Sequence, residues 1–389
     1  MVIFEILTHA ITSVLIGYLS FTNTLAGHIE NFLPVPEKII VTTSHKPSGE
    51  QKIEDPSLNT FEKIAISTNI LKSSVSNILL EHGEYQKAAT IASSWDETPY
   101  VPAEGLSLNE NIENALVNIY CQYKTNEYIR TTTGTGFFIN KKGVILTNAH
   151  VAQFLLLEDS KNASGEVSCM IRSGNPATPK YHAKLLYISP TWIYENANLI
   201  SSEAPRGTGE RDYALLYVSA AIDTTPLPAQ FPTITVGTDL LPRNITGSPI
   251  MTAGYPAEAL LRGGADTKLF PIVASTTLGE LYTFGSNYAD IFSVSESAVG
   301  EQGASGGPIV VPETQNVIGL IVTKGDEPTE GERSLRALTL SYIDRTIIEE
   351  TGFSLIQNMQ GDVAYRGSIF KSAMVPFLAG ILEEELSAE

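Results

Sequence analysis

Between about residue 110 and residue 325 the chain is a succession of short apolar runs, most of them bounded by turn-forming residues. They are ALVNIYC (115–121), GTGFFI (134–139), GVILTN (143–148), EVSCMI (166–171), HAKLLYIS (182–189), YALLYV (213–218), PIMTAG (249–254), IFSVS (291–295), PIVV (308–311) and VIGLIVT (317–323). Runs of this length, rich in branched and aromatic residues and closed off by Gly, Pro, Asn or Asp, are the pattern of strands. A long series of them with little helix between predicts an all-β region, folded as a sandwich or as a pair of barrels. Two later stretches read differently. SYIDRTIIEETGF (341–353) has helical spacing, and the run from Met374 to Leu382 is too short to span a bilayer and reads as an amphipathic helix. No segment repeats another in sequence.

Upstream of residue 110 the texture changes. VPEKIIVTTSHKPSGEQKIEDPSLN (35–59) is polar and Pro-containing, as linkers are. Residues 60–92 bring apolar positions back every three or four residues, which predicts one or two helices. From Ile6 to Gly27 there are 22 residues without Lys, Arg, Asp or Glu, long enough to cross a membrane. A secretory leader would open on basic residues, whereas the first one here is Lys38. Two readings stand: a leader or anchor that carries the chain out of the cytoplasm, and a buried N-terminal helix. The expected organisation is a hydrophobic leader or membrane anchor (1–27), a linker and partly helical extension (28–107), a β domain (108–350) and a partly helical C-terminal tail (351–389).

Composition narrows the partners. The chain has 389 residues and is 43% hydrophobic and 17% charged, enough for a sizeable core. Its net charge of −18 argues against nucleic acid or an anionic membrane surface as the main partner. The only cysteines, Cys121 and Cys169, make no CxxC pair, so no structural zinc site is expected. They are either one disulfide or two buried thiols, since sequence does not give their separation. His150 and His182 have no clustered ligands around them, so metal-dependent hydrolysis and bound cofactors are not expected.

GVILTNAHV (143–151) raises a chemical question, because a buried-looking strand runs directly into His150. A lone histidine there would be a core residue with one satisfied hydrogen bond. Two other stretches bear on it: RDYALLYV (211–218), where Asp212 precedes a strand, and GEQGASGGPIV (300–310), where Ser305 stands among glycines. A serine hydroxyl is a poor nucleophile until an imidazole accepts its proton. A carboxylate on the other ring nitrogen fixes the tautomer and stabilises the imidazolium. Glycines allow a tight turn that aims backbone N–H groups at a developing oxyanion. Five other aspartates lie between His150 and Ser305, but none leads an uninterrupted apolar run as Asp212 does.

These motifs resemble a known family. TGTGFFINKKGVILTNAHV, DYALL and GASGGPIV are similar to the histidine, aspartate and nucleophile segments of trypsin-like serine peptidases, especially of the HtrA (Deg) type. ITVGTDLLPRNITGSPIMTAGYP (234–256) and VIGLIVTKG (317–325) resemble the same family in the same register, so that the likeness covers roughly residues 110–345. It implies the chymotrypsin/trypsin fold: two six-stranded β-barrels with a C-terminal helix and the site in the cleft between them. It implies His150 as general base, Asp212 as its orienter and Ser305 as nucleophile, with the amides of Gly303 and Ser305 as oxyanion hole. It places Val299 at the base of the substrate pocket, and Thr323 and Lys324 on the strand that borders it.

There are departures as well. Pro190 to Gly209 is longer than usual and is a candidate to shape the cleft. Ala304 stands where clipped zymogens carry an aspartate, so no N-terminal clipping is expected. The residues after the nucleophile are too few for a typical PDZ domain. The function expected is that of a serine endopeptidase acting on proteins or peptides through an acyl-enzyme, exported or anchored through the N-terminal segment. The alternative is a catalytically silent binding module of the same fold.

Overall fold

The structure, a computed structural model, describes residues 107–387 apart from 159, 161–164, 202–207, 257–266, 286, 296, 300–302 and 325–334. These belong to one compact unit, Val101–Glu389. The expected leader (1–27) and all but Ser107 of the expected extension (28–107) lie outside the described residues. Among the described residues no helix is long and apolar enough to cross a membrane.

Twelve described strands close into two antiparallel barrels. The first contains β1 (Leu116–Lys124), β2 (Ile129–Asn140), β3 (Val144–Thr147), β4 (Glu166–Ser173), β5 (Thr178–Ile188) and β6 (Ala214–Ala221). The second contains β7 (Pro249–Gly254), β8 (Ile272–Tyr282), β9 (Ile291–Val294), β10 (Pro308–Val310), β11 (Val317–Lys324) and β12 (Leu335–Thr339). The strand orders are β1-β2-β3-β6-β5-β4 and β10-β11-β12-β9-β8-β7. Renumbered within each barrel, these are the same order, so the two halves repeat a topology that no sequence repeat announces. Full closure leaves neither sheet with an open edge.

The pattern of apolar runs located ten of the strands and missed two. β8 has a single buried residue, Leu278, among half-buried and exposed ones, so it shows no apolar run; it holds its place by pairing with both β7 and β9. β12 is only five residues long and is interrupted by Arg336, whose guanidinium lies 5.5 Å from the centre of the Tyr282 ring. β2 extends further back than expected, because its β-branched Thr131–Thr133 continue the ladder with β1 down to Lys124 opposite Ile129.

The helices sit outside the barrels. Helix α1 (Leu108–Ala115) precedes β1 and opens on a reciprocal cap between Ser107 and Glu110. A four-residue helix, α2 (Ala149–Ala152), follows β3. Pro190–Asn196 form α3, which begins the long stretch before Asp212. After β12 comes α4 (Leu340–Thr351), capped by the Thr339 hydroxyl and ended by Gly352 in the left-handed conformation, φ +78°.

The chain then returns to the first barrel through α5 (Leu355–Asn358), α6 (Val363–Ala373) and α7 (Val375–Ser387). Gly367 lets α6 approach the Tyr217 ring, to which a Cβ there would come within 2.3 Å. Leu378, Leu382 and Leu386 of α7 pack with Trp192, Ile193 and Ile200. The described part of the long stretch thus forms a seat for the C-terminal helix. A second core joins the barrels, with Phe137 and Leu215 from one side and Val310, Leu320 and Leu338 from the other.

Cys121 and Cys169 stand directly opposite each other on β1 and β4, with Cα atoms 4.1 Å apart, and are bonded. The bond closes a 48-residue separation across the first barrel. Removing it with Cys121→Ala and Cys169→Ala together should cost about 2–4 kcal/mol, by releasing loop entropy to the unfolded chain. Urea unfolding checks this; an unchanged midpoint would show that the barrel does not need the link.

Candidate active site

Asp212 directs both carboxylate oxygens at one residue. Oδ2 lies 2.7 Å from His150 Nδ1, and Oδ1 accepts the His150 main-chain N–H at 2.9 Å. Asp212 is 5% exposed, so water competes little for it. A carboxylate at this distance holds the Nδ1 proton, which leaves Nε2 of the neutral ring as the acceptor. His150 is the second residue of α2, immediately after the buried β3, so a packed strand fixes where the ring starts.

The other described aspartates between His150 and Ser305 differ. Asp290, the fully buried one, pairs with Arg345 and accepts from Thr283 Oγ1 and the Phe284 N–H. His182 lies on the exposed side of β5, opposite Ala220.

Two interlocking turns present Asp212. Its N–H donates to the Gly209 carbonyl at 3.1 Å, and the next N–H, of Tyr213, donates back to the Arg211 carbonyl at 2.8 Å. Arg211 between them is left-handed, φ +56°. The Asn148 side chain donates to the Asp212 carbonyl at 2.8 Å, and the Gln153 side chain to the His150 carbonyl at 3.0 Å. Arg211 reaches Glu350 Oε1 and Glu349 Oε2, each at 2.9 Å. Burial works against its charge, but the two glutamates outweigh that and raise its pKa above the ordinary value. Tyr342, whose hydroxyl accepts the Arg211 N–H, is raised too, mainly by burial.

Ser305 sits in the loop Gly303–Gly307, wedged between the barrels. Its carbonyl accepts from the Thr135 N–H at 2.8 Å, while Gly306 N and Gly307 O pair with Ile321 on β11 at 2.8 and 2.9 Å. Gly306 is left-handed, φ +86°, and a Cβ there would lie 2.0 Å from the Thr135 carbonyl oxygen. Gly134 touches both sides of the site: a Cβ on it would come 2.5 Å from Val151, the neighbour of His150, and 3.3 Å from the Ser305 carbonyl. The loop is thereby packed against the strands that lead to His150.

Gly303 has φ +94°, and its carbonyl is held by the Thr135 hydroxyl at 2.7 Å. The N–H groups of Gly303 and Ser305 donate to no described residue. Val299 is fully enclosed, packs with the apolar core of the second barrel and faces Gly254. Thr323 and Lys324 end β11, opposite Arg336 and Leu335. Ala304, 2% exposed, faces the same core. Among the described residues no group of His, Cys, Asp or Glu is arranged to hold a metal.

Sequence reasoning passed over Thr135, Asn148, Gln153 and Arg211. The first two stand inside motifs that were read for their neighbours. Gln153 acts on a main-chain carbonyl, and Arg211 acts on a helix more than a hundred residues away, so no local pattern marks either.

Residues 134–320 match the family model described as a trypsin-like peptidase domain. Together with the two closed six-stranded barrels, this gives the chain a trypsin-like peptidase domain of the chymotrypsin fold. Among solved structures, the Rv3671c protease from M. tuberculosis in its active form is 18% identical, over 64% of this chain and 85% of that one, with a TM-score of 0.38. An alanine mutant of Rv3671c from M. tuberculosis H37Rv, in an inactive form, is 17% identical over 64% and 91%, with a TM-score of 0.37. No curated protein matches the chain.

The Thr135 hydroxyl can be tested alone. Thr135→Val keeps the shape of a residue that is 0% exposed and releases both the Gly303 carbonyl and the Tyr255 N–H. A misplacement of about 1 Å in such a site can cost about 10²-fold in rate, so peptide hydrolysis should fall by about that factor. An unchanged rate in a folded variant would show that Gly303 needs no support from Thr135.

Proposed function

We propose that the chain is a serine endopeptidase working by double displacement. Ser305 Oγ attacks the scissile carbonyl, and His150 Nε2 takes its proton and returns it to the leaving amine. Asp212 keeps the ring in the correct tautomer and stabilises the imidazolium. The N–H groups of Gly303 and Ser305 hold the oxyanion. Water then enters on the same path and hydrolyses the acyl-enzyme. The observation that carries the reading is the double contact between Asp212 and His150, at 2.7 and 2.9 Å, beside a glycine-built serine loop. The substrates are proteins or peptides.

The Cys121–Cys169 bond adds a reason to place the domain outside the cytoplasm, where disulfides persist. That agrees with an exported or membrane-anchored chain. Ala304 supplies no carboxylate for a new N-terminal amine, so activity should not require clipping.

The test is degradation of an unfolded protein. Ser305→Ala and His150→Ala should lose several orders of magnitude without unfolding, since triad knockouts elsewhere reach about 10⁶. Asp212→Asn should lose about 10⁴ through the wrong tautomer. A fluorophosphonate should label Ser305. Undiminished hydrolysis by Ser305→Ala would refute the assignment, and an unlabelled, inactive parent would turn the chain into a binding module.

Val299 sets the expected preference before the cut. A buried valine offers no partner to an arginine or lysine, and leaving such a cation unpaired would cost several kcal/mol. Ala, Val or Leu should therefore dominate a peptide-library profile. Arg or Lys there would contradict the pocket, and Asp or Glu would point to Lys324 instead.

A further inference from the structure

A non-glycine residue in the left-handed conformation lies next to Asp212. Among the described residues only Arg211 and Gln315 are non-glycine and left-handed. Gln315 lies in the turn between β10 and β11. Arg211 joins the two turns that aim Asp212, and three groups of α4 hold it: the Tyr342 hydroxyl on its N–H at 3.2 Å, Glu350 on Nη1 and Glu349 on Nη2, each at 2.9 Å.

Glu350 does more than pair with Arg211. It also accepts from the Tyr187 hydroxyl and, at 2.9 Å, from Ser189, both at the end of β5. The Tyr213 hydroxyl, one residue beyond Asp212, meets Thr346 of the same helix at 2.8 Å. Among the described residues, the other charged groups beside Arg211 are Glu210 on its own segment, Asp290 before β9 and Arg345 on α4. Arg345 pairs with Asp290. The helix leaves the second barrel, and Arg211 belongs to the first.

We propose that Arg211 is a positioning residue: gripped by Glu349 and Glu350, it locks the turn that presents Asp212 to His150. This rests on the catalytic reading given above. If Arg211 relaxed to ordinary backbone angles, the following residue would swing, and a contact of 2.7 Å has no slack for that. A misplacement of about 1 Å can cost about 10²-fold in rate.

The experiment uses the full chain with a peptide substrate, following kcat, KM, the pH profile and thermal unfolding in Arg211→Ala and Glu350→Gln. The second variant keeps one oxygen as acceptor for Ser189 and offers the Tyr187 hydroxyl an amide N–H to accept from, while removing the charge that grips Arg211. Both should lower kcat about 10- to 100-fold with KM nearly unchanged. The acid limb of the profile should move to lower pH, because an imidazolium less supported by Asp212 gives up its proton sooner. A lower melting temperature with kcat and the acid limb unmoved would overturn the proposal and leave the grip purely structural. Undiminished activity of Ser305→Ala would instead sink the catalytic reading beneath it, whatever the Arg211 variants do.

Discussion

Thr135 is where the two barrels become one site. Its N–H donates to the Ser305 carbonyl at 2.8 Å and its own carbonyl accepts from Thr147 at 2.7 Å. Its hydroxyl donates to Gly303 at 2.7 Å and accepts from Tyr255 at 2.9 Å. Every polar group of one fully buried residue is therefore used, and together they meet three segments: the serine loop, β3 and the chain just after β7. In a dry seam each unmade bond would carry the full desolvation cost, about 1–3 kcal/mol. The serine loop has one inexpensive position against the first barrel, and Thr135 defines it.

Much of this arrangement was legible before any coordinates. The histidine, aspartate and serine segments each combine a strand with an abrupt polar or glycine-rich end, which is a local signal. The two-barrel architecture followed from the succession of apolar runs and the resemblance they carried. β8 escaped because pairing on both sides, more than burial, holds it in place. Thr135 and Arg211 escaped for another reason: their partners lie 168 and 139 residues away in the chain, and nothing local encodes such a contact. The seating of α7 on Trp192 and Ile193 likewise depends on two segments whose meeting only the folded chain decides.

The left-handed Arg211 shows how such distant contacts offset a local cost. An L-residue in that conformation is disfavoured by about 1–2 kcal/mol. A charge-assisted hydrogen bond contributes about 1.5–3 kcal/mol when shielded and much less when exposed. Glu349, with a side chain 62% exposed, adds little, whereas Glu350 at 13% carries most of the compensation. The turn beside Asp212 is thus held by one part-buried carboxylate on a helix that follows the second barrel.

That dependence gives the C-terminal segment a mechanical meaning. The proposed base and its carboxylate stand on the first barrel, and the proposed nucleophile stands on the second. Their separation must be kept to a fraction of an ångström, which neither barrel can do alone. Thr135 ties the barrels at the front of the site. The helix Leu340–Thr351 starts from the last strand of the second barrel and grips the first at Arg211, Tyr187, Ser189 and Tyr213. The helices beyond it close over the outside of the first barrel, through Gly367 and the leucines of α7. The two barrels are consequently fastened both at Thr135 and through α4, besides the core they share, and a rotation that separated one fastening would strain the other.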